Sequence, residues 1–402
     1  MCLRAQPASG GYTITPLYFI ANALNASGQV AGYGASTNGQ THAFLYAGGQ
    51  TLDLGTLPGG SSSEALALNS LGQVVGDSTV SGGATHAFLY ANGQMTDLGT
   101  LPRGYSSYAT GINDAGQIVG WSDTTPAGYS YPRPDHAFLY SAGQMEDLGS
   151  VGTLFATWSH AMAINASGQV AGWSDTDNGG GPHAFLYTSG VMRDLGTLGG
   201  DQSRASAINA SGQVVGWSSL AQGYASHAFL YSGGVMSDLG TLTNQSNSYA
   251  AGINSVGQVA GYSTSTGNGP AFLHSIAGGL INLSTQVGDP NWSVGGAVGI
   301  NDAGQVLCAA NNFALDPPAL ACILTSAVSA TSTILSRPTL LGSVFQVTVS
   351  SIAGTSYTLE STGNLSATNW VTTQSATGTG GAITLTDANA SAGARFYRVR
   401  AQ

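Results

Sequence analysis

Seven copies of one motif, Asn-x-x-Gly-Gln, punctuate this chain, with the Asn at Asn25, Asn69, Asn113, Asn165, Asn209, Asn254 and Asn301. Subtracting neighbouring positions gives spacings of 44, 44, 52, 44, 45 and 47 residues. A repeat of this length with several short strand signals per unit is the mark of a β-propeller blade. One four-stranded blade cannot bury its own faces and must stack on its neighbours. The expected fold is therefore all-β, a seven-bladed β-propeller.

The fifth unit shows four strand-like segments: Ala205-Ser206-Ala207-Ile208-Asn209, Gly212 to Trp217, His227-Ala228-Phe229-Leu230-Tyr231 and Val235 to Gly240. Alternating small residues in the first segment, such as Ala65/Ala67, Ala161/Ala163 and Ala250/Gly252, suit the innermost strand, where the blades converge on a channel. The Asn-x-x-Gly-Gln segment then becomes a hairpin turn, its Gly taking positive φ and its Asn bonding its own backbone. At the start, Tyr12-Thr13-Ile14-Thr15-Pro16-Leu17 reads as a fourth strand, and the seventh unit lacks a clear one. The N-terminal strand is expected to close the last blade and so remove two exposed edges.

The string His-Ala-Phe-Leu-Tyr occurs five times, at His42, His86, His136, His183 and His227, each followed by Asp-Leu-Gly at Asp53, Asp97, Asp147, Asp194 and Asp238. Over about residues 11 to 325 these linked motifs resemble the HAF-repeat family of extracellular β-propeller-like proteins. The resemblance implies an extracellular repeat protein and no particular activity. Five equivalent histidines around a ring cannot converge on one site. In the sixth unit Pro270 replaces the His and Asn282 the Asp, so both partners vanish together. Each His is expected to bond its own blade's Asp as a satisfied polar pair.

Only 7% of the 402 residues are charged, and a net charge of -10 with no lysine disfavours nucleic acid or an anionic membrane as partner. No apolar stretch reaches the roughly 18 residues of a spanning helix. The start, Met1-Cys2-Leu3-Arg4, lacks an apolar signal segment, so export requires a signal peptide already removed or a reading frame that begins upstream. Cys308 and Cys322 fall in successive strand-like segments of the seventh unit; a cross-strand disulfide and two small buried thiols both remain open.

The repeat ends near Ile323, dividing the chain into a propeller over 1–325, a Ser/Thr/Ala-rich linker over 326–336 and a further module over 337–402. Alternation at strand period in Phe345 to Val349, Tyr357 to Glu360, Trp370 to Thr373, Ile383 to Leu385 and Phe396 to Arg400 predicts a small β-sandwich. Its Tyr-Thr-Leu-Glu-Ser-Thr and terminal Phe-Tyr-Arg-Val-Arg segments resemble a C-terminal module found on secreted bacterial proteins. Trp370 is read as core ahead of a sugar platform.

Two turns per blade are nearly invariant, so the face they form is scaffold. The opposite face carries loops of varied length and chemistry, where ligands usually bind. There Tyr105, Tyr108, Trp158, His160, Asp201, Arg204 and Trp292 are expected near the channel mouth, with Tyr131 and Arg133 in the long third-unit loop. The candidate ligand-binding set is Tyr105, Tyr131, Arg133, Trp158, Arg204 and Trp292. Asp175-Thr176-Asp177-Asn178-Gly179-Gly180 is like the opening of a calcium loop, making Asp123, Asp175, Asp177 and Asp201 candidate Ca²⁺ ligands. His160 is the candidate general base. No organic cofactor is expected, and motifs for serine-hydrolase, zinc-protease and nucleotide chemistry are absent from the sequence. The leading expectation is a secreted propeller binding a small molecule, glycan or peptide at the channel mouth. The alternative is a Ca²⁺-dependent lactonase acting on a sugar lactone or N-acyl-homoserine lactone, with calcium as Lewis acid and His160 as base.

Overall fold

A computed structural model describes residues 6–7, 11–125, 134–152, 157–177, 181–221, 225–267, 269–275, 278–312, 314–326, 339–341, 343–351, 356–362, 371–379, 381–388, 390 and 396–401. The chain divides into two compact units, Met1–Ser326 and Ala327–Gln402. The first is a seven-bladed propeller of four-stranded antiparallel sheets. Blade five is representative, with strands Gly199–Ile208, Val214–Leu220, Ser226–Ser232 and Val235–Asp238 paired in order. The first strands of neighbouring blades approach one another all the way round, so they line the axis.

The N-terminal strand Tyr12–Leu17 pairs antiparallel with Ala319–Ser326 and supplies the fourth strand of blade seven, with a two-residue strand, Gln6–Pro7, beyond it. Closure thus joins the two ends of the propeller, as the sequence implies. In that blade Cys308 and Cys322 are register partners, and both are buried free thiols. Of the two readings left open by the sequence, the structure shows the thiol pair.

The hydrophobic clusters lie between blades. One combines Ala171, Ala184 and Leu195 of blade four with Ala205, Val214 and Phe229 of blade five. The Phe of His-Ala-Phe-Leu-Tyr is fully buried in Phe88, Phe138, Phe185 and Phe229, each burial contributing on the order of 2 kcal/mol. The preceding Ala is buried, and its amide donates to a buried serine of the next blade: Ala184 N to Ser203 Oγ at 2.8 Å. Ser203 Oγ in turn donates to Gly196 O at 2.6 Å.

All five repeated histidines bond the aspartate of their own blade, with Nδ1 to carboxylate distances of 2.8–3.0 Å. Each aspartate also accepts the amide of the Gly two residues on, as Asp194 does from Gly196 at 2.7 Å. In the pair His136–Asp147, the hydrogen bond outweighs burial and raises the imidazole above its ordinary 6.5. Burial pushes Asp147 up, but bonds from His136 and Gly149 hold it below 3.8. Blade six shows what replaces the pair: Asn282 Oδ1 takes the Ser284 amide at 3.0 Å and starts the short 3-10 turn Leu283–Thr285.

The asparagines do more than shape turns. Each Oδ1 accepts the amide of its own Gln, as in Gln169 N to Asn165 Oδ1 at 3.0 Å, and each Nδ2 crosses to the next blade. Asn25 Nδ2 donates to Asn69 O, Asn69 to Asn113, Asn113 to Asn165, Asn165 to Asn209, Asn209 to Asn254 and Asn254 to Asn301, at 2.9–3.4 Å. Asn301 Nδ2 then donates to Asn25 O at 2.9 Å and closes the circle. All seven asparagines are buried.

The second unit holds two three-stranded sheets. One has strand order Thr339–Leu341, Val344–Ser350, Ala382–Asp387; the other has Val371–Thr377, Ser356–Thr362, Phe396–Ala401. Val347, Val349, Tyr357, Leu359 and Leu385 form its core. The structure adds the strand Thr339–Leu341 to the five legible in the sequence. Trp370 and all of the expected linker 326–336 except Ser326, the last residue of the strand Ala319–Ser326, lie outside the described residues.

Replacing Asn165 with Ala strips acceptors from the Ser167 and Gln169 amides and a donor from the Asn209 carbonyl. The expected loss in urea unfolding is roughly 2–4 kcal/mol; a change under roughly 0.5 kcal/mol, the size of an ordinary surface substitution, would contradict the ring.

Candidate functional site

One cross-strand pair per blade varies against the repeated strand pattern, and its geometry starts with a β-bulge. Every first strand slips register near its middle, between Ala205 and Ala207 in blade five, and the bulge presses its backbone onto the second strand. A Cβ on Gly216 would lie 1.9 Å from Arg204 O, so only glycine fits there. The residue after this glycine and the first-strand residue opposite it form a cross-strand pair at the variable end of the blade. These pairs are Ile20/Tyr33, Glu64/Asp77, Tyr108/Trp121, His160/Trp173, Arg204/Trp217 and Tyr249/Tyr262.

From blade three to blade six the pairs join into one stack. Tyr108 lies on Trp121 with centroids 3.9 Å apart, and Trp121 on His160 at 4.4 Å and 6°. His160 meets Trp173 at 4.2 Å, and the Arg204 guanidinium sits 4.3 Å over the other side of the contact, on Trp173. Arg204 then faces Trp217 at 6.0 Å, Trp217 meets Tyr249 edge-on at 5.9 Å, and Tyr249 stacks on Tyr262 at 5.0 Å. All eight side chains are half-buried. Burial lowers the Arg204 pKa against the opposing pull of Asp175, and burial raises that of Tyr262. His160 Nε2 and Arg204 Nε are buried yet make no hydrogen bond among the described residues. The Asp135 carboxylate is 3.5 Å from His160 Nε2, near enough for charge attraction but outside bonding geometry.

Blade two interrupts the aromatic run with opposed carboxyls. Burial, together with the Glu64 charge, pushes Asp77 up to about 7, and burial raises Glu64. Tyr33 on one side is raised by burial and by Glu64, and Tyr108 on the other by burial with a contribution from Asp77. Blade seven offers only Gly296 and Ala309 at this level, so the belt has a gap there.

Of the residues singled out from sequence, Tyr108, His160 and Arg204 stand in this belt. His160 has both ring faces against indoles, which leaves the edge that faces Asp135. Tyr105 and Trp158 lie in blade-connecting loops. Their amides are held by carboxylates, Tyr105 N by Asp123 Oδ1 and Trp158 N by Asp175 Oδ2 at 3.1 Å. That accounts for Asp123 and Asp175 as loop staples, Asp123 also taking the Ser106 amide at 2.9 Å. Asp177 and Asp201 are exposed. Among the described residues no three His, Cys, Asp or Glu side chains group so as to hold a metal ion, so the four carboxylates are not brought together. Trp292, half-buried, packs against the hydrophobic cluster that holds Val294 and Leu283. Tyr131 and Arg133 lie outside the described residues. Sequence reasoning passed over Glu64, Asp77 and the second-strand aromatics. Their signal is the recurrent Gly-aromatic or Gly-acid step, as in Gly120-Trp121, Gly172-Trp173, Gly216-Trp217, Gly261-Tyr262 and Gly76-Asp77.

A family described as "Protein of unknown function (DUF3466)" matches residues 20–151, the span of blades one to three. No curated protein matches the chain. Among solved structures, the chain is similar to the β-propeller domain of the Trilobed protease from Pyrococcus furiosus, at 11% identity and a TM-score of 0.48, over 67% of this chain and 84% of that one. It is also similar to a gluconolactonase from Xanthomonas campestris, at 9% identity and 0.36, over 79% and 91%. A lectin from Aleuria aurantia matches at 12% identity and 0.37, over 66% and 96%. No helix among the described residues is long and apolar enough to cross a membrane.

Because the folded-state pKa of Asp77 lies above its ordinary 3.8, the folded protein holds a proton that the unfolded chain releases. Stability therefore falls as pH rises from 3.8 to about 7. Asp77→Asn should raise the melting temperature at pH ~8 and change it little at pH ~3, where the carboxyl is protonated folded and unfolded alike. An equal effect at both pH values would contradict the buried carboxyl.

Proposed function

We propose that this protein is an exported ligand-binding propeller that takes a small molecule, glycan or peptide at the variable end of its channel, with the belt as its recognition surface. One observation carries the reading. Strand order, turns, buried serines and asparagines repeat from blade to blade, while the belt pair changes in every blade, from carboxyls to indoles, imidazole, guanidinium and glycine. A repeated frame whose variation gathers at one end of its blades is organised for recognition. Export draws support from the HAF-type motifs and the C-terminal module, each through its resemblance to proteins outside the cell. For the calcium lactonase, the site offers no gathered carboxylates among the described residues and a His160 enclosed by two indoles.

Three of the chain's six tryptophans, Trp121, Trp173 and Trp217, are in the belt, so their fluorescence reports on it. Titration with panels of soluble glycans, peptides and lactones should give a saturable change with at least one class, lost in Arg204→Ala. Absence of any saturable response would overturn the proposal. Lactone turnover that EDTA abolishes would favour the hydrolase instead.

A further inference from the structure

The stack has a rule that breaks once. Trp121 is covered on the side of the next blade by His160, Trp173 by Arg204, and Trp217 by the edge contact of Tyr249. Tyr262 is the next second-strand aromatic in this sequence, and the group that would cover it is Gly296. A Cβ there would already lie 3.0 Å from Tyr262 Cβ and 3.1 Å from its Cγ. Glycine therefore brings the backbone close to the base of the ring and puts no side chain over its face. The second-strand position of blade seven, filled by tryptophan in blades three to five, is the exposed Ala309.

A cavity of 580 Å³ occupies this break, lined by Tyr262, Pro270, Ser293, Gly296, Ala309 and Asn311 among others. Its size is that of a small-molecule pocket. None of its lining side chains carries a charge, which disfavours an ionic ligand, whose desolvation would go uncompensated. The polar groups offered are the Ser293 hydroxyl, the Asn311 amide and the Tyr262 hydroxyl, each able to donate and to accept. The apolar groups are the Tyr262 ring, Pro270, Val298 and Leu320.

We infer that the gap in blade seven is a subsite for one neutral pyranose ring of a glycan, stacked on Tyr262 where the other blades place a side chain of their own. A pyranose has one apolar C–H face to lay on an aromatic ring and a rim of hydroxyls that both donate and accept. That is the combination of groups the cavity presents. The inference rests on the ligand-binding reading above and narrows it to a ligand class and a place.

Saturation-transfer NMR with methyl glycosides of glucose, galactose, mannose and fucose tests it on the whole chain. At least one glycoside should receive saturation at its C–H face. Ala309→Trp, which fills the gap from an exposed position, should abolish the signal while leaving the melting temperature unchanged. Tyr262→Ala should weaken binding about tenfold, the value of one stacking contact. A glycoside signal that persists in both variants would place the sugar elsewhere and overturn the subsite, with the ligand-binding reading intact. Silence from every neutral glycoside, with a saturable tryptophan response to a charged or planar aromatic ligand, would overturn the sugar class. Silence in both measurements would defeat the subsite and the reading beneath it together.

Discussion

The closed circle of seven asparagine side chains is the interaction on which the rest of this propeller depends. Each side chain bonds its own turn through Oδ1 and its neighbour's main chain through Nδ2, so the shape of one turn is tied to the placement of the next blade. Donation runs one way around the axis and closes only because Asn301 reaches Asn25, 276 residues away in sequence. The same seam is held by the N-terminal strand on Ala319–Ser326. Buried amides that find no partner are costly, and a chain of bonds polarised in one sense gains from being complete. This explains why the motif is kept in all seven blades even where the His–Asp pair is not.

A frame fixed at one end of the first strand leaves the other end free to vary. The bulge and its glycine set the backbone, and the residue on each side of that contact stands at the variable end of the blade regardless of its chemistry. Carboxyls, indoles and a guanidinium thus occupy equivalent places on the same strand register. Their mutual stacking fills the space between blades with half-buried groups that retain an exposed edge. Preorganisation of this kind limits the entropy lost when a ligand binds.

Much of the architecture was legible because propeller blades are local in sequence. Four short strands, two turns and a His–Asp pair lie within one repeat, and Pro270 with Asn282 revealed the pairing by losing both partners at once. The asparagine circle was legible only as turns, since its second bond is to a neighbouring blade and leaves no trace inside a repeat. The belt was read in part. His160 and Arg204 stood out as residues foreign to their repeat position, whereas Trp121, Trp173 and Trp217 recur and so look like scaffold. Asp123 and Asp175 resembled metal ligands for the reason they suit loop stapling: a short carboxylate accepts several amides at once. Trp292 was placed by its loop position, and its apolar ring, half-buried, packs against the cluster between blades six and seven.

Deuterium exchange of side-chain amides, followed by ¹H–¹⁵N NMR, tests the asparagine circle most directly. The account predicts that the Nδ2 protons of Asn25, Asn69, Asn113, Asn165, Asn209, Asn254 and Asn301 persist long after that of the exposed Asn38 has exchanged, and that the seven exchange together. Exchange of any of the seven as fast as Asn38, or a spread in which single blades open independently, would contradict a closed and cooperative ring.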